Sequence, residues 1–488
     1  MKKTIKRILS VVLCAGLMLS LFAGCSETDN HGLKKNDPVS VTIWNYYNGA
    51  QLQAFEALVS QFNDTVGKEQ GIIVESRSQG NNVSELIQKA MDSLDGKVGA
   101  EQFPDMLAAY ADTAYEINNR GMAADISQYL SQEEMDAYVT SYMDEGRFTE
   151  KGGVQLFPIA KSTEIFMLNE TDWLPFAEAT GASEESFQTW EGVTEVAKQY
   201  YEYTDGLTPD VANDGKAFFG RDAMANYLLI GSMQLGTEIF SVKDGEVTYQ
   251  LDETAMRRLW DNYYIPYING WFKAVGKFRS DDTKTGEIIS FVGSTSGSMY
   301  FPTEVTQEDG SVYPVEAKVF PLPNFEGTEP YAVQQGAGIL VTKSEEKKEY
   351  ASTVFLKWFT QADNNMEFCL GSGYLPVLKE ANDEKKVEEQ LLDKGESKDS
   401  ALFQTLTVGV NMVQDYSLYT NKAFKNGTDA RNLLENAFTV KSQEDRAAVE
   451  ELIAGGMEHE EAVAQFDTDE NFKAWYEGLK ASFEELNS

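Results

Sequence analysis

Four polar residues between two apolar runs form the most informative pattern in the chain. Residues 156–160 and 165–168 are apolar, and residues 161–164, of sequence KSTE, separate them. Short apolar runs without alternation indicate buried strands. We therefore predict that residues 161–164 are a hinge, where the chain leaves one packed sheet, crosses beside a cleft and enters a second sheet. The alternative is one long strand with a polar bulge in a single sheet.

Upstream of the hinge, strand-like and helix-like patterns alternate. β-rich runs occur at residues 39–47, 72–76 and 105–110. After a β-rich run, apolar residues recur at the spacing of a helix, as between Leu52 and Phe62. Alternation of strands and helices along the chain predicts a mostly parallel sheet with helices on both faces. Ligands bind such sheets beyond the carboxyl ends of the strands. The candidate ligand contacts at or just beyond the carboxyl ends of the three runs are Tyr46, Tyr47, Asn82, Tyr110 and Asp112.

The second half of the chain contains further helices and a predicted return to the first sheet. The spacing of apolar residues predicts a helix that begins at Thr189 and two further helices over residues 223–235 and 253–265. Residues 287–301 are predicted to form a strand, a Gly/Ser turn and another strand, with the turn facing the cleft. Residues 318–323 are interpreted as a return crossing between the two packed units.

The N-terminus is typical of a secretion signal followed by a tether. Residues 1–24 combine basic residues with an uncharged apolar stretch that is short for a membrane span. The segment ending at Cys25 resembles the lipobox of bacterial lipoproteins, although Phe22 stands where Leu, Val or Ile is usual. The resemblance implies acylation of Cys25, and cleavage with release is the alternative. Residues 25–38 are predicted to be a flexible, lipid-anchored tether.

Composition argues against several kinds of site. The formal net charge of −37 disfavours nucleic acid as a partner. The cysteine expected in the folded part is Cys369, and the two histidines are His31 and His459. Cys/His metal sites and nucleophile–histidine pairs therefore have few residues from which to form. We expect no metal, no cofactor and no catalytic residue.

A series of short motifs runs through the chain in a definite order. They are VTIWNYY near the start, FPDMLAAYAD, the hinge stretch, GSMYF, VFPLPN, QQGAGILVTKSEEKKEYASTVFLKWFT and GYLPV. Together they resemble extracellular solute-binding proteins of bacterial ABC importers, in the branch that handles sugars and glycerol phosphates. The resemblance implies an α/β, two-lobed, type II periplasmic-binding-protein-like fold, with mostly parallel sheets flanked by helices and with hinge strands between the lobes.

The resemblance also implies an activity and a location. A monomer anchored outside the cell membrane would capture a small-molecule solute by lobe closure and deliver it to the membrane subunits of a permease. We expect the N-terminal lobe to comprise residues 39–160 plus 322–371, and the C-terminal lobe residues 161–321 plus 372–488.

Two motifs bear on the solute. The Gly-Tyr-Leu-Pro motif is similar to one in glycerol-phosphate-binding members whose tyrosine touches the ligand, which implies that role for Tyr374. Those members also bind phosphate through an arginine. The comparable region of this chain offers Lys422 and Lys425, and its first arginine is Arg431. A carbohydrate is therefore favoured over glycerol 3-phosphate. A secreted glycoside hydrolase with two carboxylates and a passive adhesin are the rivals from other classes.

A sugar pocket combines aromatic faces with hydrogen-bonding side chains. The candidate faces are Tyr46, Tyr47, Tyr110, Trp271, Tyr300 and Tyr374, and each could equally be a core residue. The candidate polar contacts are Asn82, Asp112, Ser162, Glu164, Ser294 and Gln335, with the backbone of Gly336 as a further one.

Overall fold

The computed structural model describes residues 30–80, 82–148, 152–243, 245–307 and 309–487. The predicted signal peptide and the candidate lipidation site Cys25 lie outside these residues. In the described part of the chain, no helix combines the length and apolar character that a bilayer crossing requires.

The described strands are numbered in chain order. They are β1 (Val39–Asn45), β2 (Ile72–Ser78), β3 (Met106–Ala109), β4 (Glu164–Asn169), β5 (Phe219–Arg221), β6 (Phe240–Lys243), β7 (Glu246–Tyr249), β8 (Ser290–Ser294), β9 (Glu304–Thr306), β10 (Val312–Pro314), β11 (Ala317–Phe320), β12 (Tyr331–Val333), β13 (Gly338–Val341) and β14 (Ser417–Tyr419).

The α-helices are named by their residues. They span Gly49–Phe62, Lys68–Gln70, Val83–Leu94, Ala111–Asn119, Gln132–Asp136, Thr140–Glu145, Glu170–Thr180, Trp190–Asp205, Met224–Gln234, Glu253–Asp261, Tyr264–Ile268, Arg279–Lys284, Glu346–Phe359, Ala362–Ser372, Glu384–Asp393, Ala401–Asp415, Gly427–Ala454, His459–Ala464 and Asp469–Leu486.

The first sheet has the strand order β13–β3–β1–β2. β1 pairs in parallel with β2 and β3, and β13 runs antiparallel to β3. β3 is buried along its whole length, as expected of a central strand with helices on both faces. The parallel arrangement predicted from the alternating pattern is confirmed here.

The second sheet is mixed rather than mostly parallel. Its strand order is β11–β4–β8–β5, and β4 pairs antiparallel with both neighbours while β5 pairs in parallel with β8. β11 includes the first half of the predicted return crossing at residues 318–323 and pairs with β4 inside the second sheet, so that prediction is wrong. Its apolar residues pack into the second sheet instead.

Two separate hydrophobic cores lie on either side of the hinge. The first lobe gathers buried residues from 33–160 and 337–410, and the second gathers residues from 165–333 and 412–483. The chain therefore crosses three times: at residues 161–164, at residues 334–336 and within the helix Ala401–Asp415. This packing differs from the expected boundaries, because residues 322–333 join the second core and residues 374–410 join the first.

Backbone hydrogen bonds hold the first two crossings side by side. Ser162 N donates to Gln335 O at 3.0 Å, and Gln335 N donates to Ser162 O at 2.9 Å. Gly336 has a φ of +95°, and a Cβ there would lie 2.9 Å from the carbonyl oxygen of Ala160. Glycine thus permits this approach. The single-sheet alternative is wrong, since the two crossings join two cores.

The polar side chains of the hinge are buried, so the prediction that they face an open cleft is wrong. Lys161, Ser162, Thr163 and Glu164 are each at most 3% exposed. The two charged side chains are paired within the protein, which allows their burial.

Residues 30–37, which we call the strap, pack against the first lobe instead of forming a flexible tether. Leu33 is buried in the first core. The ring of His31 contacts those of Tyr129 and Tyr350, with centroids 5.2 and 4.2 Å away. A Cβ on Gly71, just before β2, would lie 2.1 Å from the carbonyl oxygen of Lys34. The strap therefore lies at the amino edge of the first sheet, opposite the carboxyl ends of β1–β3.

Candidate functional site

A cavity of about 360 Å³ lies between the two lobes. The first lobe contributes the opening turns of the helices Val83–Leu94 and Ala111–Asn119, and the second lobe contributes those of Met224–Gln234 and Gly427–Ala454. Residues 333–335 of the second crossing form part of the wall. The volume is near the lower end of the range of about 300–1,000 Å³ for ligand pockets.

Three of the predicted contacts line this cavity. Tyr110 and Asp112 follow a strand of the first sheet, and Gln335 lies in the second crossing. Tyr110 is 41% exposed. Desolvation, with Tyr374 as the next cause, raises the pKa of Tyr110 to about 12, while Arg431 opposes the rise. The phenol is protonated at neutral pH, as it would be at the ordinary tyrosine pKa of 10.0, and can donate a hydrogen bond.

Asp112 lies where the two lobes touch. A Cβ added to Gly427 would lie 2.6 Å from Asp112 Oδ1, so only glycine allows this approach. Desolvation raises the pKa of Asp112 to about 6, against the lowering effects of Arg431 and the Phe424 backbone. Asp112 Oδ1 is buried and has no hydrogen-bond partner among the described residues.

Arg431 is the main site residue that the sequence analysis did not select. It lines the cavity, and its Nη2 donates to Asn226 Oδ1 at 2.7 Å. Asn226 Nδ2 in turn donates to Glu164 Oε1 at 2.8 Å. The sequence did point to Arg431, because it is the first arginine after the GYLPV motif. What the sequence analysis did not predict is that Arg431 lies in the opening turns of a helix beside the cavity.

Glu164 belongs to a buried network behind the cavity wall rather than to the wall itself. Arg221 Nη2 donates to its other carboxylate oxygen at 2.6 Å. The Arg221 side chain is buried, and its guanidinium lies near the Trp190 and Tyr227 rings. The network fixes Asn226 and, through it, Arg431.

Glu145 and Gln334 also line the cavity and were not predicted. Gln334 Nε2 donates to Glu145 Oε2 at 2.6 Å. Glu145 is bound in addition by the ammonium of Lys161. Their positions could not be read from local sequence patterns, because they follow from how the helix Thr140–Glu145 meets the second crossing.

Tyr46, Tyr374, Ser294 and Tyr300 form a second group, outside the residues that line the cavity. Tyr46 Oη and Tyr374 Oη are 3.2 Å apart, and Ser294 caps the 3₁₀ turn Thr295–Tyr300. A Cβ on Gly373 would lie 3.0 Å from the carbonyl oxygen of Thr295, in the other lobe. Tyr374 is only 6% exposed and belongs to the first core, so it does not offer a free face in this structure.

Five predicted contacts are not among the residues that line the cavity. Tyr47 is packed in the first core against Phe55 and Phe368. Asn82 accepts from Glu85 N and caps a helix, and the ring of Trp271 is near Lys198. Ser162 and Gly336 serve the hinge, as described above. None of these five lines this cavity, and each has a local role in capping, packing or backbone pairing.

The cavity wall combines apolar patches with hydrogen-bonding groups of both kinds. Val83, Ile87, Leu229, Ile230 and Val333 supply the apolar part. The polar part contains amides and hydroxyls in addition to the charged groups already described, namely Thr113, Thr420, Asn421, Thr428 and Asn432. Among the described residues, no cluster of His, Cys, Asp or Glu is suited to hold a metal ion. The arrangement suits a small polar solute with some apolar surface.

Comparisons with known proteins agree with this architecture. A sequence profile of the family described as bacterial extracellular solute-binding protein matches residues 57–393. A search among curated proteins finds no match.

Several solved structures have the same fold. UgpB from Mycobacterium tuberculosis in complex with glycerophosphocholine is 18% identical, with a TM-score of 0.64 over 92% of this chain and 100% of that one. The cyclic alpha-maltosyl-1,6-maltose binding protein from Arthrobacter globiformis is 17% identical, with a TM-score of 0.63 over 91% and 98%. The ABC substrate-binding protein Lmo0181 from Listeria monocytogenes in complex with cycloalternan is 14% identical, with a TM-score of 0.60 over 92% and 99%. The predicted two-lobed type II fold is confirmed.

Proposed function

Since this chain belongs to the family of bacterial extracellular solute-binding proteins, we propose that it is the substrate-binding component of an ABC importer, which captures a carbohydrate between its lobes and delivers it to a permease. One observation carries the proposal. Asp112 of the first lobe and Arg431 of the second line the same cavity. A solute that contacts both residues stabilises the closed arrangement relative to an open one.

The chemistry of the wall supports a carbohydrate. Tyr110 and Tyr419 offer aromatic surface for the CH face of a sugar ring, and Gln335, Asn421 and Asn432 offer groups for hydroxyls. The relatives from Arthrobacter globiformis and Listeria monocytogenes carry the names of cyclic oligosaccharides, which is consistent with this solute class.

A polyol phosphate such as glycerol 3-phosphate is the second candidate, and Arg431 favours it. Its guanidinium makes no ion pair with the described residues, so it could pair with an anionic group. Asp112 in the same cavity opposes an anion, which is why we place the neutral saccharide first. The relative from Mycobacterium tuberculosis binds glycerophosphocholine.

We further propose that a lipid on Cys25 anchors the protein at the outer face of the cell membrane. The lipobox-like segment supports this proposal, and an acyl chain would keep the binding protein near its permease. The intact mass of the mature protein and its partition into detergent test it. Both should change in Cys25→Ser, and an unmodified, unpartitioned wild type would contradict the anchor.

The function is tested by native mass spectrometry of co-purified solute, followed by thermal unfolding with a panel of mono- and oligosaccharides and glycerol phosphates. A cognate solute at a hundredfold excess over its dissociation constant should stabilise the protein by about 2.7 kcal/mol. A panel without any shift would overturn the proposal. Hydrolysis products from an oligosaccharide would favour the glycoside hydrolase instead.

A further inference from the structure

Lys161 connects the cavity to both hinge crossings. Its ammonium donates to Gly336 O at 2.7 Å and also binds the carboxylate of Glu145. The Lys161 side chain is 1% exposed. Glu145 lines the cavity, whereas Gly336 belongs to the second crossing and Lys161 to the first. One buried ammonium group therefore bonds an acid of the cavity wall to the backbone of the neighbouring crossing.

Gln334 completes this network from the second crossing. Its Nε2 donates to Glu145 Oε2 at 2.6 Å and to Ser141 O at 3.2 Å. Lys161 binds the same oxygen, Oε2. Among the described residues, no hydrogen bond uses the other carboxylate oxygen, Oε1, although Glu145 lines the cavity. The acid is thus held by both crossings through one oxygen and has a second acceptor for a solute.

We propose that Lys161 is a positioning residue that couples occupation of the cavity to the relative orientation of the lobes. A solute hydroxyl that binds Glu145 fixes a carboxylate that is bonded to both crossings, and so restricts rotation at the hinge. The inference rests on the proposed function for its role in transport, since it needs a solute in the cavity. Its test does not, because the network is formed by the protein alone.

A purely structural ion pair is the competing explanation, and the energetics of buried charges separate the two. Removing one partner of a buried pair leaves an uncompensated charge and is strongly destabilising, whereas replacing both partners by neutral groups is often tolerated. Lys161→Met should therefore lower the Tm, and Lys161→Met combined with Glu145→Gln should recover it. A positioning role predicts that the double variant recovers stability without recovering the orientation of the lobes.

The experiment measures the distance between spin labels on the two lobes by pulsed electron resonance in the solute-free full-length mature protein. Labels at Gln88→Cys and Asn436→Cys occupy exposed helix positions, and Cys369 is buried. We expect a broader distribution at longer distance in Lys161→Met, which persists in the double variant although its Tm has returned.

A matched control breaks another buried ion pair, one whose two partners both belong to the second lobe. Arg279→Met breaks the pair with Asp282, within the second lobe, and should lower the Tm without changing the distance distribution. A wild-type distribution in both Lys161 variants, with only the Tm affected in the single one, would overturn the inference. Because no solute is present, this result is independent of the saccharide panel.

Discussion

The carboxylate of Glu164 and the guanidinium of Arg221 form a buried ion pair with Nη2 and Oε2 2.6 Å apart. Glu164 is the last residue of the hinge and the first residue of β4, and its second oxygen accepts from Asn226. Both carboxylate oxygens are therefore occupied by the protein. The pair orders the wall behind Arg431 and does not itself offer a group to a solute.

Glu164→Gln should therefore act on stability more than on recognition. Breaking a buried pair by removing one partner costs about 3–5 kcal/mol, because Arg221 is left buried without its counter-charge. Urea unfolding of the variant measures this loss. The matched control is Glu116→Gln, whose partner Arg120 is exposed and where a change below about 1 kcal/mol is expected. A normal stability with abolished binding would instead restore Glu164 as a direct contact.

Arg431→Gln should discriminate between the two candidate solutes. A phosphate paired with Arg431 would lose a charge-assisted contact worth about 1.5–3 kcal/mol, or roughly 10- to 150-fold in affinity. A neutral saccharide would lose a smaller amount. Titration calorimetry with the solute identified from the panel measures the change. Arg257→Gln, on the surface of the second lobe, is the control that should leave affinity unchanged.

Gly427→Ala should weaken binding without weakening the fold. The new Cβ would lie 2.6 Å from Asp112 Oδ1 across the lobe contact, while alanine favours the helix in which the residue lies. Overpacking costs about 1–3 kcal/mol, so affinity should fall by roughly tenfold or more. Gly478→Ala, in another helix with nothing within 4 Å of the added atom, should raise the Tm and leave affinity unchanged. Equal affinities in both variants would remove the Asp112–Gly427 contact from the closure mechanism.

Asp112→Asn should stabilise the protein at neutral pH while weakening solute binding. Burial raises the pKa of Asp112 to about 6 from an ordinary 3.8, so the folded protein binds this proton more tightly than the unfolded chain. Its ionised form therefore lowers stability above pH 6, and that cost disappears as pH falls from about 6 to 4. About two pKa units correspond to at most roughly 3 kcal/mol. The measurement is the free energy of unfolding of Asp112→Asn and of the wild type at pH 7.5 and at pH 4.5. The difference between the two proteins should be larger at pH 7.5. The control Asp64→Asn, at an exposed position, should differ from the wild type equally at both pH values.

Leu33→Ala should release the strap from the first lobe. Leu33 is buried in the first core, and loss of a buried leucine side chain costs about 2 kcal/mol or more. Trypsin cleavage after Lys34 and Lys35, together with urea unfolding, measures the release. Leu392→Ala, at an exposed leucine, should change neither. Rapid cleavage in the wild type would contradict a packed strap.

The alternation of strand and helix patterns was sufficient to predict the first sheet, because parallel strands buried on both faces leave long apolar runs in the sequence. The hinge was found for a related reason: residues 161–164 interrupt such a run. What the pattern could not show is that these polar side chains are satisfied inside the protein. Lys161 and Glu164 find their partners 16 residues upstream and 57 residues downstream, and no local pattern encodes such pairs.

Part of the candidate site could also be predicted from the positions of the strands. Tyr110 and Asp112 follow a strand end, and the general rule for parallel sheets places them at the ligand edge. Arg431 comes from the start of a helix in the other lobe, and its role depends on how the lobes meet. Tyr47 and Asn82 also follow strand ends, but core packing and helix capping compete for the same residue types. Position on a strand end thus identifies an edge of the fold without saying which side chains are free there.

The third crossing differs in kind from the other two, because it lies within the 15-residue helix Ala401–Asp415. Two extended segments can change their backbone angles residue by residue, whereas a helix bends little over its length and can pivot only at its ends. The lobe closure proposed above would therefore turn about an axis that passes near this stiff helix. Few directions of motion would be available to it, and the entropy lost on closing around a solute would be correspondingly small.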